Sequence, residues 1–224
     1  MKHTLFLKIY LVVSIVYLII LFSGYEYLDL YLKPALIPLL GFAVYAYKRF
    51  PARNTILTAL AFSWIGDVIL LFADIAEIYF ILGLVSFLIS HIVYCTLFNK
   101  QHPVQVKNNA VFRVGCAVIV VYLVGMLSVL LPSLGDLKIP VIVYAFVIST
   151  MLLFAFNGFL TWLKPGNRYI FMGAIVFVIS DSILAIDKFH SPIEKSAFII
   201  MLTYLVAQYL IVVGILKLNP KKVE

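Results

Sequence analysis

The stretch Thr55-Ile56-Leu57-Thr58-Ala59-Leu60-Ala61-Phe62-Ser63-Trp64-Ile65-Gly66-Asp67-Val68-Ile69-Leu70-Leu71-Phe72-Ala73 reads as one apolar helix with a single carboxylate inside it. At about 1.5 Å of rise per residue, a run of this length covers the ~30 Å hydrocarbon core of a bilayer. Working outward, similar runs fill the chain near residues 5–22, 31–47, 78–98, 111–131, 139–157, 169–187 and 194–216. With the first they make eight expected spans. The second is the least regular, since it holds Lys33, Pro34 and Pro38. Pro34 suits a first helical turn, and Pro38 predicts a kink that neighbours must offset by satisfying the freed carbonyl.

The composition agrees with this division. Of 224 residues, 64% are hydrophobic and 12% charged, where a soluble domain carries about 25% charged. The mean hydropathy is +1.11. The expected fold class is therefore all-α, a polytopic membrane bundle over 1–224, and any chemistry sits among the helices. No segment between the spans is long enough for a soluble core. The first run continues to Phe22 with no small-residue cleavage site, so it reads as a span and not a signal peptide. Cys95 and Cys116 both fall within spans and suggest no disulfide framework.

The net charge of +7 does not indicate nucleic acid, because the basic residues are dispersed among short loops. They report topology instead. The even loops and both ends carry Lys2, Lys8, Lys48, Arg49, Arg53, Lys100, Lys107, Arg113, Lys164, Arg168, Lys217, Lys221 and Lys222. The odd loops carry only Lys33, Lys138, Lys188 and Lys195, with Glu26, Asp29, Asp74, Glu77, Asp136, Asp187 and Glu194. By the positive-inside rule both termini are expected on the cytoplasmic side. Tyr25, Tyr27, Tyr47, Tyr79 and Trp162 lie near span ends, as interfacial aromatic residues do.

Once the loops are removed, the remaining acids are Glu224 at the tail and two within spans, Asp67 and Asp181. Their surroundings repeat: Ile65-Gly66-Asp67-Val68-Ile69-Leu70 matches Ile179-Ser180-Asp181-Ser182-Ile183-Leu184 at an offset of 114 residues. Four spans per half predict a parallel repeat, with halves of about 1–110 and 111–224. Each Asp is expected about six residues, roughly 9 Å, inside the outer end of its helix. A carboxylate at membrane depth costs at least ~2.5–3.5 kcal/mol and faces the bundle interior. Two at one depth suggest a functional site, and the alternative is that each only locks packing through helix hydroxyls.

Several residues accompany the pair. Ser63 lies one turn before Asp67 and shares its helix face. Gly66, Gly173, Ala174, Ser180, Ser182 and Ala185 allow close backbone approach. Gly83, Phe87, His91, Tyr94 and Phe98 form one face of span four. His91 is either a proton-transfer group or a neutral imidazole in a hydrogen bond. Tyr204 and Gln208 occupy the equivalent stretch of span eight, and Tyr144 is either an interface anchor or a site donor. Lys33 either snorkels or meets a phosphate. No G-x-S-x-G, H-E-x-x-H or P-loop occurs, and Trp64-Ile65-Gly66-Asp67 lacks the first glycine of the intramembrane aspartyl protease signature.

These residues resemble the YhhN family of integral-membrane lysoplasmalogenases, from span two to span eight. The resemblance rests on Lys33-Pro34 with Ile37-Pro38-Leu39-Leu40, Phe62-Ser63 with Gly66-Asp67, and Gly83 with Phe87, His91 and Tyr94. In the second half it rests on Pro140 with Tyr144, Gly173-Ala174 with Phe177 and Ser180-Asp181, and Tyr204 with Ala207-Gln208. It implies hydrolysis of the vinyl ether bond of a lysoplasmalogen, giving a fatty aldehyde and glycerophospho-ethanolamine or glycerophosphocholine, without metal or organic cofactor. One carboxyl of Asp67 and Asp181 would deliver a proton to carbon, while its partner stabilises the cation and activates water. The expected substrate is a lysophospholipid taken from the membrane, with Lys33 near its phosphate. Size and family suggest a bacterial cytoplasmic membrane. The rival from another class is a small proton-coupled secondary transporter using the same two acids, and a third possibility is a non-catalytic scaffold.

Overall fold

In the computed structural model, which describes residues 2–106 and 108–220, each expected span is an α-helix with ends within four residues of those read from the sequence. They are α1 (Lys2–Phe22), α2 (Asp29–Ala46), α3 (Arg53–Leu70), α4 (Glu77–Asn99), α5 (Asn109–Leu130), α6 (Lys138–Thr161), α7 (Gly166–Phe189) and α8 (Ser196–Leu218). The loop and tail charges Lys107, Lys221, Lys222 and Glu224, and the Glu26 side chain, lie outside the described residues. Seven of these helices are long and apolar enough to cross a membrane by length and composition. The chain is a multi-pass integral membrane protein built as a helical bundle.

The helix outside those seven is α3 and not the proline-bearing α2. Arg53, Asn54 and Asp67 lower the apolar average of α3, whereas the prolines cost α2 hydrogen bonds but little hydropathy. Pro38 has no N–H to offer the carbonyl of Pro34 four residues earlier. That carbonyl accepts a 2.8 Å hydrogen bond from Trp64 Nε1 on α3, and α2 runs unbroken through both prolines. Trp64→Phe is therefore expected to destabilise the protein by about 1–3 kcal/mol, the cost of leaving an apolar-embedded carbonyl unsatisfied. In a Pro38→Ala background, where residue 38 regains its N–H, most of that loss should vanish. Thermal midpoints of the four proteins in detergent measure this coupling.

The chain divides into two compact units. The first comprises the residues up to Leu97 with Asn219 and Pro220, which are held there by the Tyr47 hydroxyl on the Asn219 carbonyl (3.0 Å) and by Lys48 Nζ on the Pro220 carbonyl. The second is Phe98–Leu218. This division falls in the last turn of α4. The reason is local. Phe98 packs edge-on to Trp162 with centroids 6.0 Å apart, and the backbone N–H groups of Val104 and Gln105 both bond the Thr161 carbonyl. Asn108 then caps α5 by accepting from the N–H groups of Ala110 and Val111.

Within the first unit α1 packs on α2 and α2 on α3. The face that α1 buries is Tyr10, Ser14, Tyr17 and Leu21, at helical spacing. Helix α3 meets α4 through two reciprocal glycines: a Cβ on Gly66 would lie 2.7 Å from the Phe87 ring, and one on Gly83 would lie 2.6 Å from Leu70. Serines on α4 tie the pair further, Ser86 donating to the Phe62 carbonyl at 2.6 Å and Ser90 to that of Ala59 at 2.8 Å.

Within the second unit α5, α6, α7 and α8 pack in sequence, and α7 with α8 is the most extensive pairing. Three glycines explain it. A Cβ on Gly166 would lie 2.9 Å from the Gly214 carbonyl, one on Gly214 would lie 2.9 Å from the Ile170 nitrogen, and one on Gly173 would lie 3.0 Å from the Ala207 carbonyl. Without a hydrophobic force between helices in lipid, such close backbone approach supplies the dispersion that holds them together.

Candidate active site

Asp67 belongs to the first unit and Asp181 to the second. Their places along their helices differ from the common depth expected. Asp67 is three residues from the end of α3 at Leu70, and Asp181 is eight from the end of α7 at Phe189. Helix α3 stops early because residues 71–75 leave the helix for turns, whereas α7 continues another two turns into the loop before α8.

Asp67 is 3% exposed, among fully buried polar groups. One turn earlier, Ser63 is fully buried and its hydroxyl is 2.8 Å from that of Ser90. Ser90 donates its one proton to the Ala59 carbonyl, so it accepts from Ser63. On α4, His91 is fully buried with Nδ1 2.6 Å from the Phe87 carbonyl one turn back. A carbonyl only accepts, so Nδ1 carries the hydrogen and Nε2 is the basic nitrogen of the ring. Tyr94 is also fully buried on α4, and Lys33 is half-buried on α2.

The first unit also holds residues that the sequence reading passed over. The Tyr17 hydroxyl, 1% exposed, donates a 2.6 Å hydrogen bond to Asp29 Oδ1 in the first turn of α2. In the sequence alone Asp29 reads only as a loop acid. The available signal was the Tyr10-Ser14-Tyr17-Leu21 spacing, which marks a polar-bearing inward face on α1.

In the second unit Asp181 is half-buried, and Oδ2 accepts a hydrogen bond from the Tyr144 hydroxyl of α6. Of the two roles open to Tyr144, donor to the carboxylate is the one adopted. Next to it, Ser182 donates to the Val178 carbonyl, so Tyr122 of α5 must donate to Ser182, at 2.5 Å. Tyr122 was not singled out from the sequence. Ser180 donates to the Ile200 carbonyl of α8 at 2.9 Å. Tyr204, 4% exposed, meets Phe177 edge-on with centroids 5.5 Å apart, and Gln208 is fully buried one turn further along α8.

Each unit thus holds one aspartate within a helix, Asp67 on α3 with buried Ser63 one turn before it and Asp181 on α7 bonded by the Tyr144 hydroxyl. The model of the YhhN family matches residues 28–215. The chain belongs to the YhhN family. The match takes in both aspartates and every accompanying residue of the two halves except Tyr17. Among curated proteins, this YhhN chain is 30% identical over 174 residues to the lysoplasmalogenase TMEM86A of Bos taurus, covering 72% of this chain and 65% of that protein. It is 31% identical over 169 residues to TMEM86A of Homo sapiens, with the same shares, and 29% identical over 170 residues to human TMEM86B, with 74% and 65%. Both human proteins carry the name lysoplasmalogenase. The chain spans about two thirds, 65%, of the length of these relatives. No solved structure matches.

Proposed function

We propose that this YhhN chain is a lysoplasmalogenase, a membrane hydrolase that cleaves the vinyl ether of a lysophospholipid to a fatty aldehyde and glycerophospho-ethanolamine or glycerophosphocholine. The observation that carries the reading is the likeness to proteins named lysoplasmalogenase over 72% of the chain, together with a family match over residues 28–215 that takes in Asp67 and Asp181.

The chemistry needs what these residues offer. A carboxylic acid transfers its proton to the β-carbon of the enol ether, the π pair forming the new C–H bond. The cation left on the α-carbon is shared with the ether oxygen. Water adds to that carbon and gives up a proton to a carboxylate. The hemiacetal then collapses: its hydroxyl gives up its proton to a carboxylate as the aldehyde C=O forms, and the C–O bond to glycerol breaks as that oxygen takes a proton from a carboxylic acid. One water is consumed, and the reaction balances without a further reactant. Asp67, 3% exposed and the more deeply buried of the two carboxyls, is assigned the acid. Asp181 already accepts from Tyr144, an acceptor's arrangement that suits the base. His91, Tyr94, Tyr204 and Gln208 support the two helix pairs. The membrane placement proposed with this is a bacterial-type cytoplasmic membrane with both termini cytoplasmic.

Carbon protonation leaves a mark. In D2O, purified protein acting on an alkenyl lysophosphatidylethanolamine is expected to release aldehyde with one deuterium on its α-carbon, when the product is trapped at once by reduction. Aldehyde without deuterium at that carbon would reject the protonation step. No aldehyde at all, together with proton flux in vesicles, would replace hydrolysis by transport.

A further inference from the structure

Ser180, Asp181 and Ser182 are consecutive on α7, where neighbours point about 100° apart round the helix. Each is tied to a different helix of the second unit. Ser180 donates to the Ile200 carbonyl of α8 at 2.9 Å, Asp181 accepts from the Tyr144 hydroxyl of α6, and Ser182 accepts from the Tyr122 hydroxyl of α5 at 2.5 Å. Ser182 gives its own proton to the Val178 carbonyl, so Tyr122 reaches through one hydroxyl into the backbone of the turn that carries Asp181. Helix α5 buries only Leu123 and Leu130. Where packing supplies so little, the Tyr122 hydroxyl supplies a directional tie to α7. Toward the α5–α6 loop the same three helices close over this polar layer with Met126 and Leu130, Val141, and Ala185 and Phe189, which keep water at that end from competing for the hydroxyls.

A base must be aimed, since a displacement of about 1 Å at a reacting group can cost about a hundredfold in rate. We infer that Tyr122 is a positioning residue of the hydrolysis: through Ser182 it holds the α7 turn at which Asp181, gripped directly by Tyr144, faces the water that adds to the cation. The inference rests on the hydrolase reading with Asp181 as the base, and it names the residues on which that role depends. Its mark belongs to one step. Once Asp67 has protonated the β-carbon, the cation has two exits. Water adds as Asp181 takes a proton, or a β-proton returns to the Asp67 carboxylate as the C–H pair re-forms the double bond. A misplaced Asp181 slows only the first. In D2O the proton delivered is deuterium, so return of the remaining protium leaves the lipid deuterated at its β-carbon.

With an alkenyl lysophosphatidylethanolamine as substrate, Tyr122→Phe is expected to lower kcat about tenfold with KM unchanged, and Tyr144→Phe, which touches the carboxylate itself, about a hundredfold. In D2O, lipid recovered part-way through the reaction should carry deuterium at its β-carbon in both variants and not in wild type. The trapped aldehyde of the variants should then carry more than one deuterium. A merely structural role would lower the amount of active protein and leave the recovered lipid unlabelled. Ser182→Ala removes the same bond from its other side, and it decides by the same readouts should Tyr122→Phe not fold. Combined, the two substitutions should lose no more than the worse of them alone. Full rate in Tyr122→Phe or Ser182→Ala, or a slower rate without deuterium in the recovered lipid, would overturn the positioning role while hydrolysis stands. No aldehyde from wild type would end the hydrolase reading and the positioning role with it.

Discussion

Asp67→Asn is expected to lower kcat for aldehyde release by about 10²–10⁴-fold, the range supplied by a positioned general acid. The substitution keeps size and polarity at a side chain that is 3% exposed, so it removes the transferable proton with little change in packing. Binding should persist, because the amide keeps the shape and polarity of the carboxyl it replaces. Photolabelling of the variant by a non-cleavable lysolipid should therefore match wild type, and KM should change little. That split separates an acid from a residue that merely holds α3 against α4: a structural role would reduce labelling and thermal midpoint along with the rate. Full activity in Asp67→Asn would remove Asp67 from the mechanism.

Gly214→Leu is expected to be the most damaging single change to the fold, costing more than the roughly 1–3 kcal/mol of ordinary overpacking. A Cβ on Gly214 would lie 2.5 Å from Ile170 Cγ1, 2.9 Å from the Ile170 nitrogen and 3.0 Å from the Gly166 carbonyl. Backbone atoms have no rotamer to escape into, so α7 and α8 must separate, and Ser180 would lose its 2.9 Å bond to the Ile200 carbonyl. Asp181 lies one residue beyond Ser180, and its geometry should degrade with it. The comparison is Gly41→Leu, at an open position, which should leave the thermal midpoint in detergent near that of wild type. Comparable losses from the two substitutions would mean that α7–α8 backbone contact is not what holds this unit.

Gly66 illustrates a middle case. Its neighbours at 2.7 Å are Phe87 ring atoms and not backbone, so α3 and α4 have a side chain to move that α7 and α8 lack. The residue that matches it in the six-residue pattern is Ser180, whose hydroxyl donates to the Ile200 carbonyl of α8. The same six-residue pattern is thus used for two different kinds of helix crossing.

Length and polarity along the chain were enough to determine the helices. A bilayer span must satisfy its backbone within itself, so an apolar run of the right length has one available structure, and all eight runs adopt it. The two intramembrane aspartates were legible for the same reason: a charge inside such a run stands out against its cost. What surrounds each aspartate was not legible, because those partners come from other helices. Tyr144 reaches Asp181 from thirty-seven residues away in sequence, and Tyr17, on a span outside the family match, orients Asp29. Even the fate of Pro38 was decided in three dimensions. The sequence shows that the Pro34 carbonyl loses its helical donor, but only the packing of α3 on α2 brings the Trp64 indole to replace it, since a hydrogen bond between helices depends on crossing and rotation that no spacing along one chain encodes.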